Sequence, residues 1–279
     1  MLAADEPAAQ AANAARSGIE RIAEAFEAAR ADGRRAALMP YMMGGFPDLD
    51  RSREIALAYA EAGADLVELG VPFSDPLADG PVIHSAGTTA LQAGVRLHDV
   101  LELASAISGR VPVVVMCYAN PIYARGLDRF ADALAGSGAS GLIVPDLPHE
   151  EAPEVLEACE RRGLPLIPLV APTTPEARLA RIGERARGFL YTVSLTGTTG
   201  ERAGLVEGLS GVIERAKAHT SVPVAVGFGI ATPEHAAAAA DAGADGVIVG
   251  SRLVRAAGEA DDPAAAVRDL VLALGRALR

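Results

Sequence analysis

Apolar residues run along the chain in two alternating rhythms. Over residues 18–31, Ile19, Ile22, Ala23 and Phe26 recur at helical spacing with Glu and Arg between them, which predicts an amphipathic helix. Residues 36–43 (AALMPYMM) form a short apolar run, expected as a strand, that stops at Gly44–Gly45. Asp48 then offers an N-cap for a helix through Ala62. From there one phrase recurs: helix, glycine or polar stop, short apolar strand, loop. EAGAD at 61–65 enters LVEL and DAGAD at 241–245 enters GVIVG, while SGRVPVVVM at 108–116 parallels HTSVPVAVG at 219–227. GSGASGLIV at 136–144, RRGLPLIPL at 161–169 and GFLYTV at 188–193 complete the set, giving eight strands near 38, 67, 113, 143, 167, 190, 224 and 247.

Strands that are almost wholly apolar and alternate with helices belong to a parallel sheet covered on both faces. Eight such units in about 250 residues favour an α/β fold of the single (β/α)8 TIM-barrel type over an open doubly wound sheet, and no strand-linked GxGxxG opens a helix. The helix at 18–31 is then expected to cover the bottom of the barrel. No Pro/Ser-rich linker divides residues 18–279, so they are expected to form one domain. Residues 1–17 (MLAADEPAAQAANAARS) hold few branched apolar side chains and are expected to be a flexible, Ala-rich extension.

Composition narrows the function. The chain of 279 residues is half hydrophobic and carries 25 Lys and Arg against 36 Asp and Glu, a net charge of −11. That balance argues against nucleic acid as a partner, because phosphate backbones need a basic face. A small phosphorylated substrate is still compatible, since backbone amides can hold it. No apolar run approaches the roughly 20 residues of a membrane span, and the N-terminus lacks a basic-then-apolar signal pattern. A soluble cytoplasmic protein is expected. Neither the two cysteines, Cys117 and Cys159, nor His84, His98, His149, His219 and His235 fall at metal-ligand spacing, so no metal is expected.

The active site of such a barrel lies beyond the C-terminal ends of its strands. There the segment 65–81, DLVELGVPFSDPLADGP, places Glu68 inside an apolar strand and Asp79 on a loop stiffened by Pro72, Pro76 and Pro81. A strand glutamate either alternates outward to solvent or is held inside for chemistry. The second carboxylate favours the latter, because two carboxylates in different environments can divide acid and base work. After strand six, SLTGTTGERAG (194–204) is long for a βα connection and predicts a lid, with Gly197 and Gly200 as hinges and Thr199 able to bond a carboxylate. Glycine-rich turns after strands seven and eight, Gly227-Phe228-Gly229-Ile230 and Gly250-Ser251-Arg252, form the pattern of a phosphate cradle. Cys117, with no histidine partner in sight, reads as a buried structural thiol rather than a nucleophile.

The run Val67-Glu68-Leu69-Gly70 through Pro81 resembles the signature of the tryptophan synthase alpha chain family. Tyr118-Ala119-Asn120-Pro121, the proline-flanked Asp146, Gly197…Thr199-Gly200, Gly227-Phe228-Gly229-Ile230 and Gly250-Ser251 follow in that family's order, so that the resemblance spans roughly 18–279. It implies retro-aldol cleavage of indole-3-glycerol phosphate to indole and glyceraldehyde 3-phosphate. It also implies no cofactor in this chain and a pyridoxal-phosphate beta chain as partner in an alpha2beta2 complex, to which the indole passes through a tunnel. By matched position Glu68 is the acid–base, and Asp79 accepts from the indole N–H. Tyr41, Tyr191, Thr199 and Phe228 bind the substrate, and Gly200, Gly229, Gly250 and Ser251 its phosphate, while Asp75, Pro76 and Asn120 meet the beta chain. Leu195 stands where several relatives carry a basic residue, and the first 17 residues exceed the family's usual start. Two other readings compete: a phosphosugar isomerase on the same barrel, which wants metal-binding histidines at strand ends, and a partner subunit whose main effect is to activate the beta chain.

Overall fold

Eight short strands, all paired in parallel, alternate with helices along the chain. The computed structural model describes residues 16–193, 208–227 and 229–279. β1 (Ala37–Met43), β2 (Val67–Gly70), β3 (Val113–Met116), β4 (Gly141–Ile143), β5 (Leu169–Val170), β6 (Leu190–Val193), β7 (Val224–Gly227) and β8 (Gly246–Val249) lie in the order β4-β3-β2-β1-β8-β7-β6-β5. The two ends of that order meet where Leu142 bridges Leu166. There the Leu142 amide donates to Pro165 O at 3.0 Å and the Ile167 amide to Leu142 O at 2.8 Å. The sheet therefore curls into a barrel, and the open doubly wound alternative falls away. The fifth strand is thinner than the apolar run at 161–169 suggests. Pro165 and Pro168 offer no amide to a neighbour, so pairing is reduced to the Leu166 bridge and, past the second proline, to Leu169–Val170.

The helices are α1 (Gly18–Ala31), α2 (Leu49–Glu61), α3 (Pro81–Gln92), α4 (Leu97–Ile107), α5 (Ala119–Arg125), α6 (Leu127–Gly136), α7 (Pro153–Glu160), α8 (Glu176–Arg185), α9 (Leu209–Lys217), α10 (Pro233–Asp241), α11 (Ser251–Glu259) and α12 (Pro263–Ala277). The simple rhythm of one helix per strand is exceeded after β2, β3 and β8, each of which is followed by two helices. Asp48 caps α2 through the Arg51 amide, as its position before the apolar periodicity predicts. Ser17 and Glu20 form a capping box at the start of α1.

Alternation along the strands separates two cores. Leu38, Val67, Leu69, Val113, Val115, Leu190, Val224, Val226, Val247 and Val249 point outward and pack under the helices. Ala37, Met39, Leu66, Val114, Ile143, Ile167, Phe189, Ala225 and Ile248 point into the lower barrel, where Ile22, Phe26 and Ala29 of α1 close it from below. The Phe26 and Phe189 rings lie 6.0 Å apart at that floor.

The repeated Gly-Ala-Asp has a physical role at the same end. The Asp65 carboxylate accepts from the Leu38 amide at 2.7 Å and from Arg34 at 2.8 Å, while its own amide donates to Leu38 O at 2.9 Å. Asp245 repeats this two strands further along the sheet, accepting from the Val224 amide at 2.9 Å and from Lys217 at 2.9 Å, with its amide donating to Val224 O at 2.8 Å. Each aspartate thus satisfies an amide at the start of the neighbouring strand, whose alternative is an unpaired donor below the barrel. Asp65→Ala and Asp245→Ala are each expected to lose about 1–3 kcal/mol in urea unfolding, with the Asn variants losing less because an amide oxygen still accepts.

Candidate active site

Glu68 lies at the third position of the Leu66-Val67-Glu68 alternation. Leu66 faces the barrel interior and Val67 and Leu69 face the helices, so Glu68 points inward. It is 2% exposed and sits in register between Tyr41 of β1 and Val114 of β3. The solvent-facing reading of this glutamate is thereby ruled out. Its Oε2 is buried with no hydrogen-bond partner among the described residues. Burial, and secondarily the charge of Asp79, push its carboxyl up from 4.5 to about 8, so it is protonated at neutral pH.

Two tyrosines flank it, each fitted over a glycine. A Cβ at Gly70 would lie 2.2 Å from the Tyr41 hydroxyl oxygen, and one at Gly227 would lie 2.3 Å from that of Tyr191. Those two strand-end positions are therefore occupied by phenol rather than by a local side chain. Both phenols are buried and held well above the ordinary tyrosine range, so they stay neutral. Burial is the main cause for both, followed by Asp79 and Glu68 at Tyr41 and by Glu68 at Tyr191. Tyr41 also packs with Met43, Ala86 and Val254, which joins β1 to α3 and α11.

Asp79 is half-buried at the end of the β2 loop, just before Gly80 and the proline that opens α3. Its Oδ1 accepts from the Tyr118 hydroxyl at 2.9 Å, and the same hydroxyl accepts from the Ala78 amide at 3.0 Å. The Tyr118 ring stacks on Phe73 with centroids 5.1 Å apart. Burial raises the Asp79 carboxyl, opposed by the Tyr118 hydrogen bond and by His84. Sequence reasoning gave Tyr118 no role of its own. The available signal was a tyrosine directly after β3, in the zone where barrel enzymes place functional groups. Asp146, after β4, is spent structurally: it caps α5 by accepting from the Ala119 amide at 2.9 Å.

Further around the mouth, Gly229 follows β7 with φ +85° and Gly250 precedes α11, whose first residue is Ser251. Gly250 lies against Tyr41, since a Cβ there would contact the Tyr41 Cβ at 3.7 Å. Asp75 and Asn120 are exposed and Pro76 is half-buried, on the β2 loop and at the start of α5. Residues 1–15, Leu195, Gly197, Thr199, Gly200 and Phe228 lie outside the described residues. Burial, then Asp146, pushes the Cys117 thiol up to about 12, which keeps it from acting as a thiolate. Among the described residues no three His, Cys, Asp or Glu are grouped to hold a metal.

A closed parallel barrel with a neutral glutamate buried in its mouth and an aspartate on the adjoining loop defines a barrel enzyme of the acid–base class. Residues 26–277 match the family model described as tryptophan synthase alpha chain. The chain is 49% identical over 235 residues to the alpha chain of Synechococcus elongatus, covering 84% of this chain and 88% of that one. It is 50% identical over 239 residues to that of a Roseiflexus species, covering 85% and 91%. Among solved structures, a Mycobacterium tuberculosis tryptophan synthase chain superposes with a TM-score of 0.86 at 42% identity, covering 93% of this chain and 98% of that one. The alpha subunit from Legionella pneumophila superposes at 0.84 with 36% identity, covering 95% and 99%. The chain belongs to the tryptophan synthase alpha chain family, the carbon–carbon lyases that cleave indole-3-glycerol phosphate in tryptophan biosynthesis.

The buried proton on Glu68 has a consequence for stability. Its folded pKa, about 8, lies above the ordinary 4.5, so the folded state binds the proton more tightly than the unfolded chain. Stability from this group is complete at low pH and is lost as pH rises towards the folded value. Glu68→Gln, which is neutral at every pH, is expected to melt progressively higher than the wild type between pH 5 and pH 8, the gap levelling above about 8. A gap independent of pH in a series of thermal melts would contradict the buried-carboxyl account.

Proposed function

We propose that Glu68 moves the protons of the retro-aldol cleavage and that Asp79 stabilises the charge that cleavage creates on the indole ring. The observation that carries this is the inward-facing Glu68 carboxyl, buried with an unpartnered oxygen and protonated at neutral pH, within electrostatic reach of Asp79. Proton delivery from Glu68 to the ring carbon bearing the glycerol phosphate side chain forms an iminium, which is the electron sink the C–C bond needs. The resulting Glu68 carboxylate takes the proton of the substrate hydroxyl. The C–C bond breaks, a carbonyl forms on glyceraldehyde 3-phosphate, and the bonding pair returns to the ring as indole. Glu68 ends protonated, ready for the next turnover. Asp79 accepts from the indole N–H and, fixed near the iminium nitrogen in a water-poor site, lowers the energy of that cation.

Tyr41, Tyr191 and Phe228 line the indole pocket in this proposal, and Thr199 orients Asp79 from the lid. The phosphate is held by amides at Gly200, Gly229, Gly250 and Ser251. The start of α11 at Gly250 supports this part, because a short helix after β8 directs unpaired amides at the mouth of a barrel. A beta-chain partner follows from the family, and the finer assignments are proposals. The complex is alpha2beta2, it meets this chain at Asp75, Pro76 and Asn120, and indole passes directly to the beta chain. Pyridoxal phosphate resides only in that partner, and this chain works without a cofactor. Leu77, 90% exposed beside Asp75 and Pro76, fits a loop that is covered by another protein. Residues 18–279 act as one domain in the cytoplasm, in keeping with the absence of any membrane-crossing helix among the described residues.

The test is indole release from indole-3-glycerol phosphate, measured with and without the beta chain. Failure in both conditions would sink the assignment. Glu68→Gln is expected to lower kcat by about 10²–10⁴-fold or more while remaining folded. In the wild type kcat/KM is expected to fall as pH rises through about 8, where the resting Glu68 loses its proton. An alkaline limb unchanged by substitution at Glu68 would assign that limb elsewhere.

A further inference from the structure

The structure assigns Tyr118 a second task beyond filling space behind the β2 loop: we propose that it is a positioning residue, whose hydroxyl fixes the Asp79 carboxylate and fastens that loop to the end of β3. The proposal rests on the role given to Asp79 above. Ser74, Asp75, Leu77 and Ala78 are all exposed, so this stretch has little buried surface of its own to set its shape. Internal amide bonds turn it, from Leu77 to Asp75 O at 2.9 Å and from Asp79 to Pro76 O at 3.1 Å, but these tie the loop only to itself. Tyr118, 4% exposed and 39 residues away in sequence from Asp79, grips it at both ends. Its ring stacks on Phe73 with planes 26° apart, and its hydroxyl reaches Ala78 and Asp79.

The polarity of those two hydrogen bonds is fixed by chemistry. An amide can only donate, so the hydroxyl accepts from Ala78 and its single proton points to Asp79 Oδ1. A donor aimed at a carboxylate favours the ionised form. The other charged or titratable groups that face Asp79 are Glu68 of β2, Tyr41 of β1 and His84 of α3, while Asp146 faces Tyr118 from beyond β4. Burial drives Asp79 towards protonation, and the hydroxyl of Tyr118 is the largest influence opposing it. Without that hydroxyl the carboxylate both loses its anchor and takes up a proton at higher pH, when its proposed work requires it charged.

Tyr118→Phe removes the hydroxyl and keeps the ring that stacks on Phe73. Two measurements follow, with circular dichroism confirming that the variant is folded. In the chain labelled with 13C at Asp carboxyls, the Asp79 titration midpoint is expected to move up by about one pH unit. In the complex with the beta chain, kcat for indole release is expected to fall about tenfold near neutral pH with a smaller change in KM, and the acid limb of its pH profile to move up with the Asp79 midpoint. An unmoved midpoint together with an unmoved acid limb would overturn the proposal even with wild-type catalysis intact. A wild type that releases no indole would overturn the lyase role instead, and the Asp79 titration alone would then decide whether Tyr118 holds the carboxylate.

Discussion

The molecule is built around one costly placement, a carboxyl group inside a parallel barrel. Barrel strands alternate strictly, so a glutamate two residues beyond Leu66 faces the same interior as that leucine. An ionised carboxylate there lacks compensation, and the cheapest response is to keep the proton. The surrounding sequence is consistent with that requirement. Gly70 and Gly227 clear the space that Tyr41 and Tyr191 fill with neutral phenols, and both rings raise the apolar content of the cavity without offering a cation. The condition that makes Glu68 affordable in the fold, namely that it be neutral at rest, is the condition a proton donor to indole needs.

Asp79 is shifted in the same direction but is given partners that oppose the shift. It sits half-buried on a loop, accepts a hydrogen bond from the Tyr118 hydroxyl and lies near His84, and both oppose the burial that still raises its carboxyl. Two carboxylates on one strand-loop unit thus acquire different protonation preferences from their surroundings alone. The proposed division of tasks matches this difference in support. A proton carrier must lie where the strand holds it rigidly. A counter-charge for a transient cation can lie on a loop that also faces outward.

Much of the architecture was legible in the sequence because it rests on local rules. The helix at 18–31, the cap at Asp48 and the eight apolar runs follow from periodicity and from side chains that bond their own neighbours. The inward direction of Glu68 was left open by its strand alone and was favoured by the second carboxylate, Asp79. What periodicity missed depends on contacts distant in sequence or on missing donors. The thinning of β5 comes from Pro165 and Pro168 breaking a ladder that hydropathy still marks as strand. The grip of Tyr118 on Asp79 joins two loops that no local pattern brings together. EAGAD and DAGAD were visible as a rhythm, but the amides they satisfy, Leu38 and Val224, belong to other strands. Thr199, Gly200 and Phe228 lie outside the described residues, and their roles rest on the family alone.

Asp65, Asp245 and Glu68 place the same functional group in two kinds of surroundings. Asp65 and Asp245 each receive a strand amide and a basic side chain at the barrel's floor, so removing either leaves identifiable donors unpaired. Glu68, buried more deeply, has an oxygen that no donor among the described residues meets. Had stability been the only demand on that position, an apolar residue or a bonded acid would serve better, since an unmet buried acceptor costs about 1–3 kcal/mol. The floor of the barrel therefore satisfies its carboxylates with the chain's own donors, whereas at the mouth no donor among the described residues meets Glu68 Oε2, in keeping with the proton-carrying role proposed for it.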